Sequence, residues 1–126
     1  MDDGILSVVL VEDDEDYAAL YRLRLEQDGY RVSIAPNGEA GLELIKRTDP
    51  DLVYLDIRMP TLDGITVLRQ LRADSSTAKI PVVVLSNYDE PELVSQGLEL
   101  GVLEWLVKAE ITPTTLAQRT IALLKR

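Results

Sequence analysis

The 126-residue sequence contains neither cysteine nor histidine. Without cysteine there can be no disulfide and no thiolate metal site. Without histidine there is no imidazole base, no His-ligated zinc and no Ser-His-Asp triad. Long apolar runs are missing too. Val8 to Val11 and Ile80 to Leu85 are the longest, far short of the roughly 20 residues that span a bilayer. Met1-Asp2-Asp3 is not the basic start of a secretory leader, so a cytoplasmic location without a membrane partner is expected. There is no linker, repeat or low-complexity stretch. Basic charge is scarce, 13 Lys and Arg against 22 Asp and Glu, for a net charge of −9. Such a surface repels nucleic acid, and no segment resembles a basic recognition helix, so direct nucleic-acid binding is not expected. Most of this charge serves solubility. The run Glu12-Asp13-Asp14 stands apart.

What is present suits one globular unit. The apolar fraction of 46% is ordinary for a folded domain, and residues 1–126 are expected to form one domain with its core between 6 and 125. Leu6 to Val11 reads as a buried strand, followed by acids and then Ala18, Tyr21 and Leu25 at helical spacing up to Gly29. Arg31 to Ala35 is a second strand, and Asn37-Gly38 opens a helix with Ala40, Gly41, Leu44 and Ile45 on one face. Pro50 precedes a third strand, Leu52 to Leu55. The loop Met59 to Gly64 leads to a helix capped by Asp63 that carries Ile65, Leu68 and Arg72 on one side. Pro81 leads a fourth strand, Val82 to Leu85. Asp89 and Glu92 suggest a capping pair for a helix presenting Val94, Gly97, Leu98 and Gly101. Leu103 to Val107 is the fifth strand. Thr112-Pro113 starts a last helix with Ala117, Ile121 and Leu124 inward. Five strands alternating with amphipathic helices imply an α/β fold, a doubly wound parallel sheet with helices on both faces.

On that frame Glu12 and Asp13 end strand one, Asp56 strand three, Ser86 strand four and Lys108 strand five. All fall at the carboxyl edge of the sheet, where open α/β folds bind ligands. Converging carboxylates raise one another's pKa unless positive charge compensates them. With no nitrogen or sulfur ligand available, a hard cation is expected, Mg²⁺ or alternatively Mn²⁺. Lys108 can grip a phosphate oxygen and Ser86 can donate a hydroxyl hydrogen bond. A carboxylate beside these groups suits nucleophilic acceptance of a phosphoryl group on Asp56. Singly, each feature has a blander reading: a helix cap for the acids and Ser86, a surface charge for Lys108.

Five segments together resemble the receiver domain of two-component response regulators, of the chemotaxis-regulator-like kind. They are Val8-Val9-Leu10-Val11-Glu12-Asp13-Asp14, Asp51-Leu52-Val53-Tyr54-Leu55-Asp56-Ile57-Arg58-Met59-Pro60, Asp63-Gly64, Val82-Val83-Val84-Leu85-Ser86 and Trp105-Leu106-Val107-Lys108. The resemblance runs over nearly the whole chain. It implies a flavodoxin-like strand order 2-1-3-4-5 and makes Asp56 the phosphoacceptor, served by a sensor histidine kinase or a phosphotransfer domain. It implies further that Asp13 binds the metal directly, Glu12 acts through water and the backbone carbonyl of Arg58 completes the protein ligands. Asp14 is read as a helix cap. By the same resemblance Ser86 swings toward the phosphoryl group and Trp105 follows it inward, switching the face of helix four, strand five and helix five for a downstream protein target. For Trp105 the competing reading is ordinary packing. Autophosphorylation and slow autodephosphorylation are implied, rather than enzymatic turnover of a separate substrate, in a monomer or weak dimer.

Three departures bear on this. Ala109 follows Lys108 where the family usually has proline, so a trans peptide and a re-routed loop are expected, since a non-proline cis bond costs about 2.5–4 kcal/mol. Trp105 replaces a tyrosine, phenylalanine or histidine. Arg58 and Tyr88 flank the pocket where relatives tune phosphoryl lifetime, and these large side chains are expected to shield the acyl phosphate from water. The rival readings are a degenerate receiver acting as a phosphate-independent interaction module, a haloacid-dehalogenase-type phosphohydrolase and a flavodoxin-like cofactor binder. The second lacks its usual acid two residues after Asp56, where Arg58 stands, and the third lacks a phosphate loop after strand one. The last helix is expected to end near Lys125-Arg126, in a single-domain regulator or a piece of a longer protein.

Overall fold

Alternation within the apolar runs decides the layering. In the computed structural model, which describes residues 4–59 and 61–124, five parallel strands lie in the order β2-β1-β3-β4-β5. They are β1 (Ser7–Val11), β2 (Arg31–Ala35), β3 (Leu52–Leu55), β4 (Val82–Ser86) and β5 (Glu104–Val107), joined through α1 (Glu15–Gln27), α2 (Gly38–Thr48), α3 (Gly64–Ala73) and α4 (Pro91–Glu99), with α5 (Pro113–Leu124) last. The doubly wound architecture and the strand order are as expected. Met1-Asp2-Asp3, Pro60 and Lys125-Arg126 lie outside the described residues.

Successive strand residues point to opposite faces, and both faces are covered. Val9, Val11, Val53, Leu55, Val82 and Val84 pack with residues of α2 and α3, including Leu42, Ile45, Leu68 and Leu71. Val8, Leu10, Leu52, Tyr54, Val83 and Leu85 pack with Tyr21 and Leu25 of α1 and Leu116 and Ala117 of α5. This double burial is why the central strands read as continuous apolar runs.

The caps at Asp14, Asn37 and Asp63 form as the sequence suggests. Their side chains accept from Asp16 and Tyr17, from Ala40 and from Thr66 respectively. Thr112 and Thr115 bond reciprocally at the start of α5, amide to hydroxyl in each direction.

Four helix expectations need correction. The Asp89–Glu92 capping pair does not form. Pro91 is the first helical residue, and the extended Glu90 before it is the cap, without a side-chain hydrogen bond. A residue preceding proline is driven out of the helical region, so proline sets the start. On α4 the inward side is Leu93, Gly97 and Leu100, not Leu98 or Gly101. Leu98 is 56% exposed, and Gly101 sits beyond the helix with φ +79. Gly97 fixes that register: a Cβ there would come within 2.7 Å of the Trp105 ring. On α5, Ile121 is exposed and Thr120 turns inward, because its hydroxyl meets the buried Tyr54 hydroxyl at 2.6 Å. On α2 the buried leucine is Leu42, while Leu44 is only partly covered.

Arg72, half-buried on α3, fastens three segments. Its guanidinium donates to Leu100 O at 2.7 Å, Ile80 O at 2.8 Å and Ala78 O at 3.1 Å. Charged hydrogen bonds of this kind contribute about 1.5–3 kcal/mol each at most, and removing the donor leaves carbonyls without a partner. Arg72→Met is therefore expected to destabilise the fold by about 2–4 kcal/mol, read as a lower urea midpoint at unchanged slope.

Candidate functional site

The carboxyl edge of the sheet collects the chemistry. Backbone pairing runs past the ends of β1 and β3: the Glu12 amide donates to Ala35 O at 2.9 Å and the Asp56 amide to Val11 O at 3.0 Å. These bonds hold both acidic residues beside β1 as it ends. Glu12, Asp56, Ser86 and Lys108 are all buried, whereas Asp13 is exposed.

Lys108 lies between two carboxylates. Its Nζ is 2.6 Å from Glu12 Oε1 and 3.2 Å from Asp56 Oδ2. The remaining oxygens have partners as well, since Glu12 Oε2 accepts from the Asp14 amide at 3.1 Å and Asp56 Oδ1 from the Ile57 amide at 2.7 Å. Burial nevertheless pushes the Glu12 carboxyl from its ordinary 4.5 up to about 7, against the pull of the Lys108 hydrogen bond. Burial raises Asp56 likewise, opposed by the Lys108 charge. For Lys108 burial works downward, but the Glu12 hydrogen bond and the two acids outweigh it and the ammonium is held more firmly than usual. One cation is thus shared by two acids that fold at the expense of their ionised forms.

Glu12, Asp13 and Asp56 can each offer a carboxylate oxygen, all within 4.8 Å of one another. This all-oxygen donor set, open to solvent at Asp13, fits a hard divalent cation such as Mg²⁺. The three acids and Lys108 therefore come together as the sequence suggested. Asp14 takes the capping role.

Ser86, on the strand beside β3, accepts a hydrogen bond from the Tyr88 amide at 3.1 Å. The Tyr88 carbonyl in turn accepts from the Trp105 indole N–H at 2.9 Å. A single backbone unit thus joins the two expected switch residues. Trp105 is half-buried, with its ring against Gly97. Arg58 and Tyr88, expected only to flank the pocket, are in contact with each other: the guanidinium lies 4.4 Å above the ring, and Arg58 also reaches Glu90 at 3.5 Å.

The peptide after Lys108 is trans, and the chain makes a 3-10 turn over Lys108–Glu110. The Ala109 amide donates to Asn87 Oδ1 at 2.8 Å. Sequence reading singled out neither Asn87 nor Tyr17, whose ring lies 5.1 Å from the Lys108 ammonium. For Tyr17 the available signal was the i, i+4 spacing to Tyr21, which puts two aromatic rings on one side of α1. Among the described residues no helix is long and apolar enough to cross a membrane.

A family model described as the response regulator receiver domain matches residues 8–120. Transcriptional regulatory protein PrrA of Mycobacterium leprae is 39% identical over 128 residues, covering 100% of this chain and 54% of that protein. The DNA-binding dual master transcriptional regulator RpaA of Synechocystis is 36% identical over 119 residues, covering 94% of this chain and 49% of that protein. Among solved structures, the BeF3-activated N-terminal receiver domain of Klebsiella pneumoniae RstA is similar, with 32% identity, a TM-score of 0.82 and coverage of 95% and 99% of the two chains. Vibrio cholerae chemotaxis protein CheY4 matches with a TM-score of 0.86 at 25% identity, covering 94% of this chain and 98% of that one. The chain spans about half the length of these curated relatives. One of them is named as DNA-binding, so the chain's acidic charge is no ground for excluding nucleic acid from a longer protein of this kind.

Proposed function

The chain belongs to the response regulator receiver domain family of two-component systems, and from that premise we propose that it accepts a phosphoryl group on Asp56 from a phosphohistidine donor, a sensor histidine kinase or phosphotransfer protein. The observation that carries this reading is the convergence of Glu12, Asp13 and Asp56 within 4.8 Å around a site that Lys108 enters. A carboxylate oxygen of Asp56 forms the new P–O bond as the donor's P–N bond breaks, and the departing imidazole takes its proton from solvent. Glu12, Asp13, Asp56 and the Arg58 carbonyl would hold Mg²⁺, whose charge offsets that of the transferring group. Lys108 already donates to Asp56 and redirects its N–H groups to the incoming oxygens. The Ile57 amide keeps Asp56 Oδ1 fixed. Ser86 exchanges its bond from Tyr88 for one to the phosphoryl group, which releases the Tyr88–Trp105 contact and alters the face of α4, β5 and α5.

The alternative, a phosphate-independent interaction module, rests on the departures at Ala109 and Trp105. The first of these grounds weakens, because Lys108 reaches both acids although no proline follows it. Where the chain is part of a longer protein, relatives named as transcriptional regulators favour control of gene expression as the output.

Incubation with acetyl phosphate and Mg²⁺, followed by intact mass, tests the reading. One phosphoryl addition that chelator blocks is the expected result. No addition, with either acetyl phosphate or a phosphorylated histidine kinase, would leave only the interaction module. The Arg58–Tyr88 stack sets the lifetime of the product. Arg58→Ala and Tyr88→Ala are each expected to accelerate dephosphorylation, on the order of threefold for about 0.7 kcal/mol less barrier. Unchanged decay would remove the shielding role.

A further inference from the structure

Two of the contacts around the Lys108 ammonium are carboxylates; the third is the face of the Tyr17 ring, with Nζ 5.1 Å from its centroid. Ring and cation at this separation attract, because an aromatic face carries the negative lobe of the ring quadrupole. The ring is also held in place. Asp14 accepts from the Tyr17 amide at the start of α1, and the ring stacks on Tyr21 at 5.8 Å and 28°. Tyr21 is only 1% exposed, packed in the core beneath. The sequence Asp14, Tyr17, Tyr21 therefore forms a rigid bracket from the helix cap to the ammonium.

That bracket solves a particular difficulty. Lys108 is claimed by Glu12 at 2.6 Å more tightly than by Asp56 at 3.2 Å. Phosphoryl acceptance requires its N–H groups to turn toward new oxygens on Asp56. Hydrogen bonds to carboxylates are directional and compete for those donors. The ring face attracts the ammonium over a broad range of orientations and accepts none of its donors in a fixed direction. We propose that Tyr17 is a positioning residue that retains the Lys108 ammonium in the site while its hydrogen bonds pass from Glu12 to the phosphoryl oxygens. This rests on Asp56 being the acceptor, and assigns to α1 a part in the chemistry beyond carrying the acidic cap.

The test compares Tyr17→Phe, which keeps the ring face, with Tyr17→Leu, which keeps apolar bulk and removes the face. Two readouts are taken on the full chain. Proton NMR of the Lys108 ε-methylene should show an upfield ring-current displacement in the wild type and Tyr17→Phe, lost in Tyr17→Leu. Beryllofluoride titration in Mg²⁺, followed by emission of the single tryptophan Trp105, should give affinity within twofold of wild type for Tyr17→Phe. Tyr17→Leu should bind about five- to tenfold more weakly, about 1–1.4 kcal/mol. Urea unfolding checks that the variants remain folded, and Tyr17→Met replaces Tyr17→Leu if the latter does not. Equal losses for Phe and Leu, or wild-type affinity in the Leu or Met variant, would overturn the proposal, as would the absence of an upfield displacement in the wild type. Should the wild type itself take up no beryllofluoride, the acceptor reading fails, and the ε-methylene shift alone decides whether Tyr17 holds Lys108.

Discussion

Asp56→Asn is expected to abolish phosphoryl acceptance while making the metal-free protein more stable. The amide keeps the shape of the side chain but has no anionic oxygen with which to attack phosphorus. Its removal also takes one charge from a buried acidic pair that a single ammonium has to serve. Glu12 and Asp56 both bind protons more firmly in the folded chain than in the unfolded one. Unfolding therefore releases protons, and the metal-free fold loses stability as pH climbs from about 4.5, where unfolded glutamate titrates, through about 7, where folded Glu12 does. Asn at position 56 removes one of those titrations, and lowers the other by deleting a like charge. The expected gain is on the order of 1 kcal/mol at neutral pH in chelator, with a flatter pH profile between those limits. Urea unfolding across that pH range checks it, alongside acetyl phosphate labelling. A variant that is labelled as the wild type is would move the acceptor elsewhere. Destabilisation at neutral pH would mean that the Asp56–Lys108 attraction outweighs the burial of the charge.

Gly64→Ala carries the largest expected loss of stability. Gly64 begins α3, and its amide donates to Ile57 O at 2.8 Å. A Cβ added there would collide with the backbone oxygen of Asp56, and would lie 2.8 Å from Ile57 Cα. Neither obstacle is the far end of a flexible side chain, so relief requires moving the start of α3 away from the end of β3. The expected loss is about 3 kcal/mol or more. Labelling of Asp56 should also slow in whatever fraction stays folded, because the displaced segment is the one that presents it. Gly29→Ala is the useful comparison. Nothing lies within 4 Å of its added Cβ, and only the left-handed backbone at φ +91 opposes it, for about 1–2 kcal/mol. Equal losses at the two positions would show that contact with the acceptor segment is not what requires Gly64.

The contrast between these glycines bears on what the sequence makes legible. Strands declare themselves because β1, β3 and β4 are buried on both faces and leave unbroken apolar runs. The carboxyl edge of a parallel sheet then lines up whatever follows each strand, which is why Glu12, Asp13, Asp56 and Lys108 could be assembled on paper. Decisions made by a distant partner were not available. Thr120 rather than Ile121 faces inward because Tyr54, 66 positions away, brings a hydroxyl that must be satisfied. Leu98 points out because Gly97 is claimed by Trp105. At the start of α4 the misleading signal is local, since proline outranks an acidic pair that looks like a cap. Within the site, residue types named the chemistry, but not the closer bond of Lys108 to Glu12 nor the ring of Tyr17 beside it. Those are matters of side-chain reach between Lys108 and residues at the other end of the chain, and periodicity carries no record of them.

Arg72 has one more consequence. It bolts the carbonyls of Leu100 and Gly101, just past the end of α4, to α3 and to the approach of β4, while no side chain caps the first turn of that helix, which is held by partly buried Leu93 and, just before it, by the exposed Glu90–Arg58 pair. A rod secured at one tip pivots there. A rearrangement begun at Ser86, as proposed above, would therefore move the Pro91 tip further than the Leu100 tip, so a ligand gripping the Pro91 end would sense the change most and one gripping the far end scarcely at all.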